Sequence, residues 1–370
     1  MRLIIMLLTA TASIATATAA NAAPRFIANE FICSFDASIV RGNARFEAER
    51  ATGPSGGQLL HVYRNTIRGF AVRMPADPNP RSQIAKLRAA SSKIERCEQD
   101  QIMSISIQGK PGGGGTSPAQ TTDWGVTRVG GPGTAVAGRT AWVIDSGIDL
   151  DHPDLNVDVA RSRSFVRDKS ADDGNGHGTH VAGTIAARNN SIGVVGVAPG
   201  APLVAVRVLD RSGSGTNSGV IAGVDYVGDV GAAGDVANMS LGGGVSDLLD
   251  QAVVAASSTG IRFVLAAGNE SDSANNHSPA RANGEFVFTV SSFAKGDVWS
   301  SFSNFGNPPV DYAEPGSSIR STYMNGGYNT LSGTSMAAPH LAGILMTGPV
   351  RTNSAVSGDP DGRPDAIGIR

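Results

Sequence analysis

The chain has 370 residues and a formal net charge of −2, with 41% hydrophobic and 17% charged residues. That balance supports a buried core over most of the length and excludes a disordered chain. Without a basic excess there is no electrostatic case for nucleic acid, and the 47 glycines point to tight turns and close backbone approaches rather than long helices.

Residues 1–22, MRLIIMLLTATASIATATAANA, place Arg2 ahead of a short apolar run and end in Ala20-Asn21-Ala22. This is the layout of a secretory signal peptide with an A-x-A cleavage site. The Thr-rich tail is too polar for a membrane anchor. The protein is therefore expected to be secreted, to a periplasm or outside the cell, with no membrane attachment after signal cleavage. Cys33 and Cys97 are the only cysteines. An exported protein meets oxidising conditions, so one disulfide is open to it. Everything after Cys97 must hold together by packing, with or without metal ions.

Residues 23–110 alternate strand-like and helix-like patterns. RFIANEFICSF and QIMSISIQ read as outer strands, SIVRGNARFEAERAT and RSQIAKLRAASS as helices, and LLHVYRN with IRGFAVRMP as a strand pair between them. The order β-α-β-β-α-β predicts a small α+β unit of ferredoxin-like type. If its first and last strands are neighbours, Cys33 and Cys97 lie on or beside adjacent strands. Residues 111–123, PGGGGTSPAQTTD, have linker composition. In 124–347 the apolar runs TAWVID, PLVAVRVLD, DVANMS and RFVLAAGN alternate with the helical patterns GHGTHVAGTIAAR, TNSGVIAGVDYVGDV and SDLLDQAVVAASSTG. This predicts an α/β domain, a mostly parallel sheet with helices on both faces and its site at the carboxyl ends of the strands. Residues 348–370 form a tail in which no further helix is legible.

Three places carry chemistry. Asp145 ends a strand in VIDSG, where a turn-forming aspartate is the bland reading. DDGNGHGTHVAG (Asp172–Gly183) sets His177 and His180 three residues apart at a helix start. In SGTSMAAPH (Ser332–His340), Ser335 opens an apolar helical run, as an N-cap or as a nucleophile favoured by the helix terminus. Each signal is ambiguous alone. Together they supply Asp, His and Ser in the chain order found in subtilisin.

VIDSGIDLDHPDL, GNGHGTHVAGTI, NMSLGGG, AAGNE and SGTSMAAPH resemble, in order, the motifs of the subtilisin-like serine proteases, with wording similar to the proteinase K branch, over roughly Trp124–Met346. The resemblance implies a serine endopeptidase with Asp145, His177 and Ser335 as triad and Asn269 as oxyanion donor. Those roles suit the residue types: a serine needs a base, and imidazole titrates near neutrality. His180 receives no role except packing and hydrogen bonding, while Gly176 and Gly178 are expected to make room for substrate and neighbouring backbone. The resemblance further makes Ser240-Leu241-Gly242 and Ala266-Ala267-Gly268 the walls of the P1 pocket. These are small and uncharged, which suits apolar or aromatic side chains. Glu270 beside them would tolerate a basic one. Gly213-Ser214-Gly215 resembles the other edge strand that holds a substrate backbone.

Family members often bind calcium. Asp311 in PPVDYAEPG resembles one ligand, whereas DPDGRPD, with Asp359, Asp361 and Asp365, reads as a solvated acidic turn. Residues 23–110 resemble the inhibitor-like propeptides of the family, which implies a self-processing zymogen cut between about Gln108 and Thr122. The partners expected are polypeptide substrates and the chain's own propeptide, with the protein acting as a monomer. Two other readings stand beside this one. A catalytically silent peptide-binding scaffold would keep the fold without turnover. A zinc hydrolase built on His177 and His180 lacks the positioned Glu and third ligand such pairs need.

Overall fold

In the computed structural model, residues 24–105 and 118–370 are described; the signal-peptide reading and most of the linker lie outside them. Alternating apolar residues in 26–104 make four strands that share one buried face. They are β1 (Phe26–Phe35), β2 (Gln58–Tyr63), β3 (Gly69–Arg73) and β4 (Ile94–Ser104), with α1 (Ala44–Thr52) and α2 (Pro80–Ala90) packed against them. The antiparallel order β4-β1-β3-β2 is that of the expected ferredoxin-like unit. Cys33 stands directly opposite Cys97 in the β1–β4 register, and the two are disulfide-bonded. The first helix is shorter than expected. Arg41–Asn43 form a 3-10 turn, consistent with a glycine and an asparagine at its end, both poor helix formers.

The second unit is built on β5 (Ala141–Asp145), β6 (Leu203–Arg207), β8 (Val236–Met239), β9 (Arg262–Ala266), β10 (Val287–Ala294) and β11 (Val310–Pro315). They lie in the order β11-β10-β9-β8-β5-β6, every neighbouring pair parallel. Successive side chains of a strand point to opposite faces, and the two cores follow that period. Val143, Ala205 and Val264 face α3 (His177–Ala186) and α6 (Thr334–Thr347). Trp142, Ile144, Val204, Val206 and Phe263 face α4 (Asn217–Val230) and α5 (Asp247–Ser257). Ile32, Tyr63, Ala71 and Met103 of the first unit join this second core, so the small unit sits on α4 and α5. A three-residue strand, β7 (Ser214–Thr216), leaves this domain to pair with β4.

The tail is not helical. Strands β14 (Arg351–Ala355) and β15 (Ala366–Ile369) extend the sheet beyond β11, β15 parallel to it and β14 antiparallel on the outside. (The hairpin Ile319–Tyr323 and Gly327–Leu331 supplies β12 and β13.) Asp365 of the acidic turn is buried and hydrogen-bonded to Ser291, which corrects its reading as solvated. No helix among the described residues is long and apolar enough to cross a membrane.

Next to this added strand, Glu314 of β11 is fully buried with neither carboxylate oxygen hydrogen-bonded. Gly368 of β15 leans on it, in space that a Cβ would share with Oε1. Burial pushes the Glu314 carboxyl well above its ordinary range, only partly opposed by Arg128. A carboxyl raised in the folded state stabilises fully below its unfolded pKa and loses that contribution as pH rises. Glu314→Gln is therefore expected to melt with the native protein near pH 4 and about 2–4 °C or more above it at pH 8, the equivalent of about 1 kcal/mol in a domain of this size. Calorimetric curves with the same pH dependence for both chains would refute this.

Candidate active site

Asp145 ends β5 with its carboxylate wholly removed from solvent. Its Oδ1 accepts from the backbone N–H of Ser146 at 2.7 Å and lies 2.8 Å from His177 Nδ1, with Oδ2 at 3.0 Å from the same nitrogen. His177 is the first residue of α3 and equally buried, and its Nε2 has no hydrogen-bond partner. The pair meets because α3 starts unusually close to the turn after β5. A Cβ on Gly178 would overlap the Gly147 carbonyl oxygen, and one on Gly176, which has a φ of 101°, would overlap the Tyr323 ring. These glycines therefore make room for backbone and for Tyr323. The N-cap of α3 is side-chainless, so Asp173 caps instead. Its oxygens accept from the backbone of Gly176 and Thr179 and from the Thr179 hydroxyl, and Ser146 Oγ links Asp173 to Gly178 N–H.

His180, one turn on, bonds Ile319 O through Nε2 at 3.0 Å. Burial lowers its pKa to about 3, so it stays a neutral packing residue. That is the role expected of it.

Ser335 is the second residue of α6 and its hydroxyl donates to Ser240 O at 3.2 Å. Pro339, four residues on, has no N–H to give the Ser335 carbonyl. Ser240 Oγ supplies that bond at 2.9 Å and is itself held by Asn238 Nδ2 at 2.8 Å. The helix-breaking proline thus ties the serine's backbone to the wall segment 240–242. Asn269 Oδ1 accepts from Thr334 N and Oγ1 at 2.8 and 3.0 Å. This settles which end of the amide is oxygen and makes the nitrogen its donor end. Thr334, Asn238 and Asp173 escaped the sequence reading. The partner of Thr334 lies 65 positions away in the chain, while Asn238 and Asp173 bond neighbours two to six residues on, inside an apolar run and a glycine-rich stretch that carry no pattern for such bonds.

Ser335 and Asn269 share a cavity of about 330 Å³ with Leu241, Gly242, Ala266, Ala267 and Gly268, while Ser240 is buried behind it. Gly213, Ser214 and Gly215 stand on another edge. The last strand of the N-terminal unit lies between the two walls. Ser104, Met103 and Ile102 pair antiparallel with Ser214, Gly215 and Thr216, Ile105 N donates to Gly213 O at 3.1 Å, and Ser104 exchanges two 3.1 Å backbone bonds with Gly242. Carboxylates secure the unit. Asp100 accepts from Ser218 N at the start of α4, and Glu98 from Ser246 Oγ and Leu248 N at the start of α5. Burial raises both carboxyls, Asp100 to about 6. In return Asp225 of α4 accepts from the backbone N–H groups of Arg64, Asn65 and Thr66 at 2.8–3.1 Å.

Asp311 lies in β11, where the structure places no cluster of acidic side chains around it. It is exposed, its carboxylate accepts from Thr289 N at 2.8 Å, and no three His, Cys, Asp or Glu side chains converge for a metal among the described residues.

Residues 137–347 match the model of the subtilase family. The chain is similar to alkaline serine exoprotease A of Vibrio alginolyticus, at 40% identity over 84% of this chain and 56% of that one, so it spans little more than half of that relative. It is also similar to alkaline serine protease ver112 of Corniculantispora psalliotae, at 38% identity over 82% of this chain and 77% of that one. Among solved structures, a crystal structure of a cold adapted subtilisin-like serine proteinase matches with a TM-score of 0.57 and 41% identity, over 66% of this chain and 96% of the other. The chain belongs to the subtilase family of subtilisin-like serine proteases.

Proposed function

We propose that the protein is a secreted serine endopeptidase made as a self-processing zymogen. In this reading residues 1–22 are its signal, 23–110 its propeptide and 124–347 its catalytic domain. The observation that carries the reading is the buried Asp145–His177 pair, with His177 Nε2 unpartnered, beside a cavity that Ser335 and Asn269 line.

Ser335 Oγ is the nucleophile. In the uncut chain it is turned to Ser240 O, and attack requires it to rotate to His177 Nε2, which takes its proton; such bonds often tighten only with substrate in place. Asp145 holds the imidazole with Nδ1 protonated and stabilises the imidazolium as it forms. The Asn269 amide and the Ser335 backbone N–H stabilise the tetrahedral oxyanion. His177 then returns the proton to the leaving amine, and water resolves the acyl-enzyme by the same steps in reverse. A substrate strand between 213–215 and 240–242 gains main-chain bonds on both sides, which gives affinity with little sequence demand. The small, uncharged walls favour apolar or aromatic P1 residues.

The pairing with the N-terminal unit supports the inhibitory role and bears on where the chain is cut. Ser104 lies opposite Gly242 in an antiparallel pair. A substrate residue two further along would stand opposite Ser240, whose carbonyl receives the Ser335 hydroxyl. Counted along the sequence, the first bond cut follows Ser106, two residues ahead of the window that begins at Gln108.

Amino-terminal sequencing of the first processed product is expected to begin at Ile107. Ser335→Ala is expected to leave the exported chain full length and unlabelled by an active-site fluorophosphonate. A native chain that resists the label would favour the silent scaffold. On peptide substrates, His177→Ala should cost about 10⁶-fold in kcat and Asn269→Ala about 10²–10³-fold, magnitudes established on subtilisin itself. His180→Ala should instead lower the melting temperature; equal kinetic damage from both histidine variants would overturn the assignment.

A further inference from the structure

Asn304 lies between β10 and β11, outside every motif that marks the site, and is wholly buried. Its side-chain Oδ1 accepts from the backbone N–H groups of Glu270 and Asp272, both at 3.0 Å, and its Nδ2 donates to Ala267 O at 3.0 Å and to Glu270 Oε2 at 2.7 Å. A primary amide offers two donors and two acceptor sites, so its capacity is filled, and all of it by the segment 267–272. The backbone N–H of Asn304 adds a bond to Gly268 O at 3.0 Å. These bonds fall on both sides of Asn269, to Ala267 and Gly268 before it and to Glu270 and Asp272 after it. Gly268 makes the approach possible: it has a φ of 109°, and a Cβ there would overlap Asn304 Nδ2. Thr334 holds Asn269 differently. Its N–H and hydroxyl fix Asn269 Oδ1, and the hydroxyl accepts from Gly268 N at 3.1 Å. Thr334 thus ties the Asn269 side chain to the helix of Ser335, while Asn304 clasps the main chain that carries it.

We propose that Asn304 is a positioning residue for the reaction: it fixes the main chain of 267–272, and through it the place where the Asn269 amide meets the oxyanion. The inference rests on the protease reading above. Asn304 is not among the residues that line the cavity, so it acts through Asn269 and not on the substrate. An oxyanion donor stabilises the transition state only if it already stands about 2.7–3.1 Å from where the charge develops. Two bonds to one oxygen leave an amide able to pivot about that oxygen. A main chain held on either side removes the pivot. A displacement of about 1 Å can cost about 100-fold in rate. Aspartate at 304 would keep the two acceptor bonds but turn a carboxylate oxygen on the Ala267 carbonyl and the Glu270 carboxylate. Serine is too short to bridge both flanks. The path of the loop does not depend on the amide alone, because Ser271 N donates to Phe302 O and Phe305 N to Asp272 O, both at 3.0 Å.

The test is a double-mutant cycle on the mature protein, with one peptide substrate and the matching peptide aldehyde, whose adduct with a serine mimics the tetrahedral state. The kcat, the KM and the inhibition constant of the aldehyde are measured for the native protein, Asn304→Ser, Asn304→Asp, Asn269→Ala and the two pairs. Each Asn304 variant is expected to lower kcat about 10–100-fold and to weaken the aldehyde alike, with KM changed about twofold at most. In the Asn269→Ala background the same substitutions should cost no more than about twofold, because the donor they misplace is gone. A merely structural role would cost the same factor in both backgrounds. That result overturns the inference, as does a kcat within about twofold of native in a folded Asn304 variant. Asn304→Asp is isosteric and decides the matter where Asn304→Ser does not fold. A native protein that neither labels with fluorophosphonate nor cleaves the peptide overturns the protease reading instead. A native protein that cleaves no faster than Asn269→Ala overturns the oxyanion assignment, and this inference with it.

Discussion

Taking the Asp145 carboxylate out of water constrains everything around it. An unpaired buried carboxylate costs several kcal/mol, and partners that cannot drift away are what make it tolerable. The backbone of Ser146 and the imidazole of His177 are those partners, so the start of α3 has to sit against the turn after β5. That proximity rules out a side chain at position 178 and removes the usual N-cap residue from the helix, and Asp173 with Ser146 and Thr179 closes the gap. The serine side is constrained in the same manner, from the opposite direction. There a proline takes away a helical donor, and Ser240 and Asn238 replace it from a strand end. Both halves of the site are thus fixed by local defects in regular structure that distant groups repair.

Carboxylates also organise the meeting of the two units, and here they are exchanged. The small unit gives Glu98 and Asp100 to the starts of α5 and α4, where unsatisfied N–H groups and the helix dipole favour negative charge. It receives Asp225 into the three consecutive N–H groups of 64–66. Backbone donors serve on both sides, so the fit depends on main-chain shape more than on surface side chains. That shape, with β7 and Gly242 flanking β4, brings an antiparallel strand through the cleft.

Much of this was legible in the sequence. Short continuous apolar runs and their alternation with helical patterns located β5, β6, β8 and β9 and the helices that cover them, and five ordered motifs drew Asp145, His177, Ser335 and Asn269 together. What stayed hidden has a common physical cause. The Ser240–Ser335 bond, the Asn304 clasp on the 270–272 loop and the Gly178–Gly147 contact each join residues that the chain separates by tens of positions, and no local pattern encodes such a meeting. Strands β14 and β15 were missed for another reason. RTNSA is polar up to its final alanine because it is an exposed edge, and AIGI is too short for a period to show. Cys33 and Cys97 were an open possibility until the register set them opposite one another.

From Pro118 onward the chain is fastened to the catalytic domain, with Gly193 N donating to Pro118 O and Thr121 and Thr122 paired beside Val194 and Val195. The small unit and the segment from Pro118 are therefore anchored independently, on either side of residues 106–117. On the proposed reading, one cut there breaks no contact in either anchor. It removes only the covalent tether, and with it the high effective concentration that keeps the small unit in the cleft. From that moment occupancy of the cleft becomes a matter of dilution: an inhibitor held at a fixed local concentration turns into a ligand whose binding depends on how much of it is nearby.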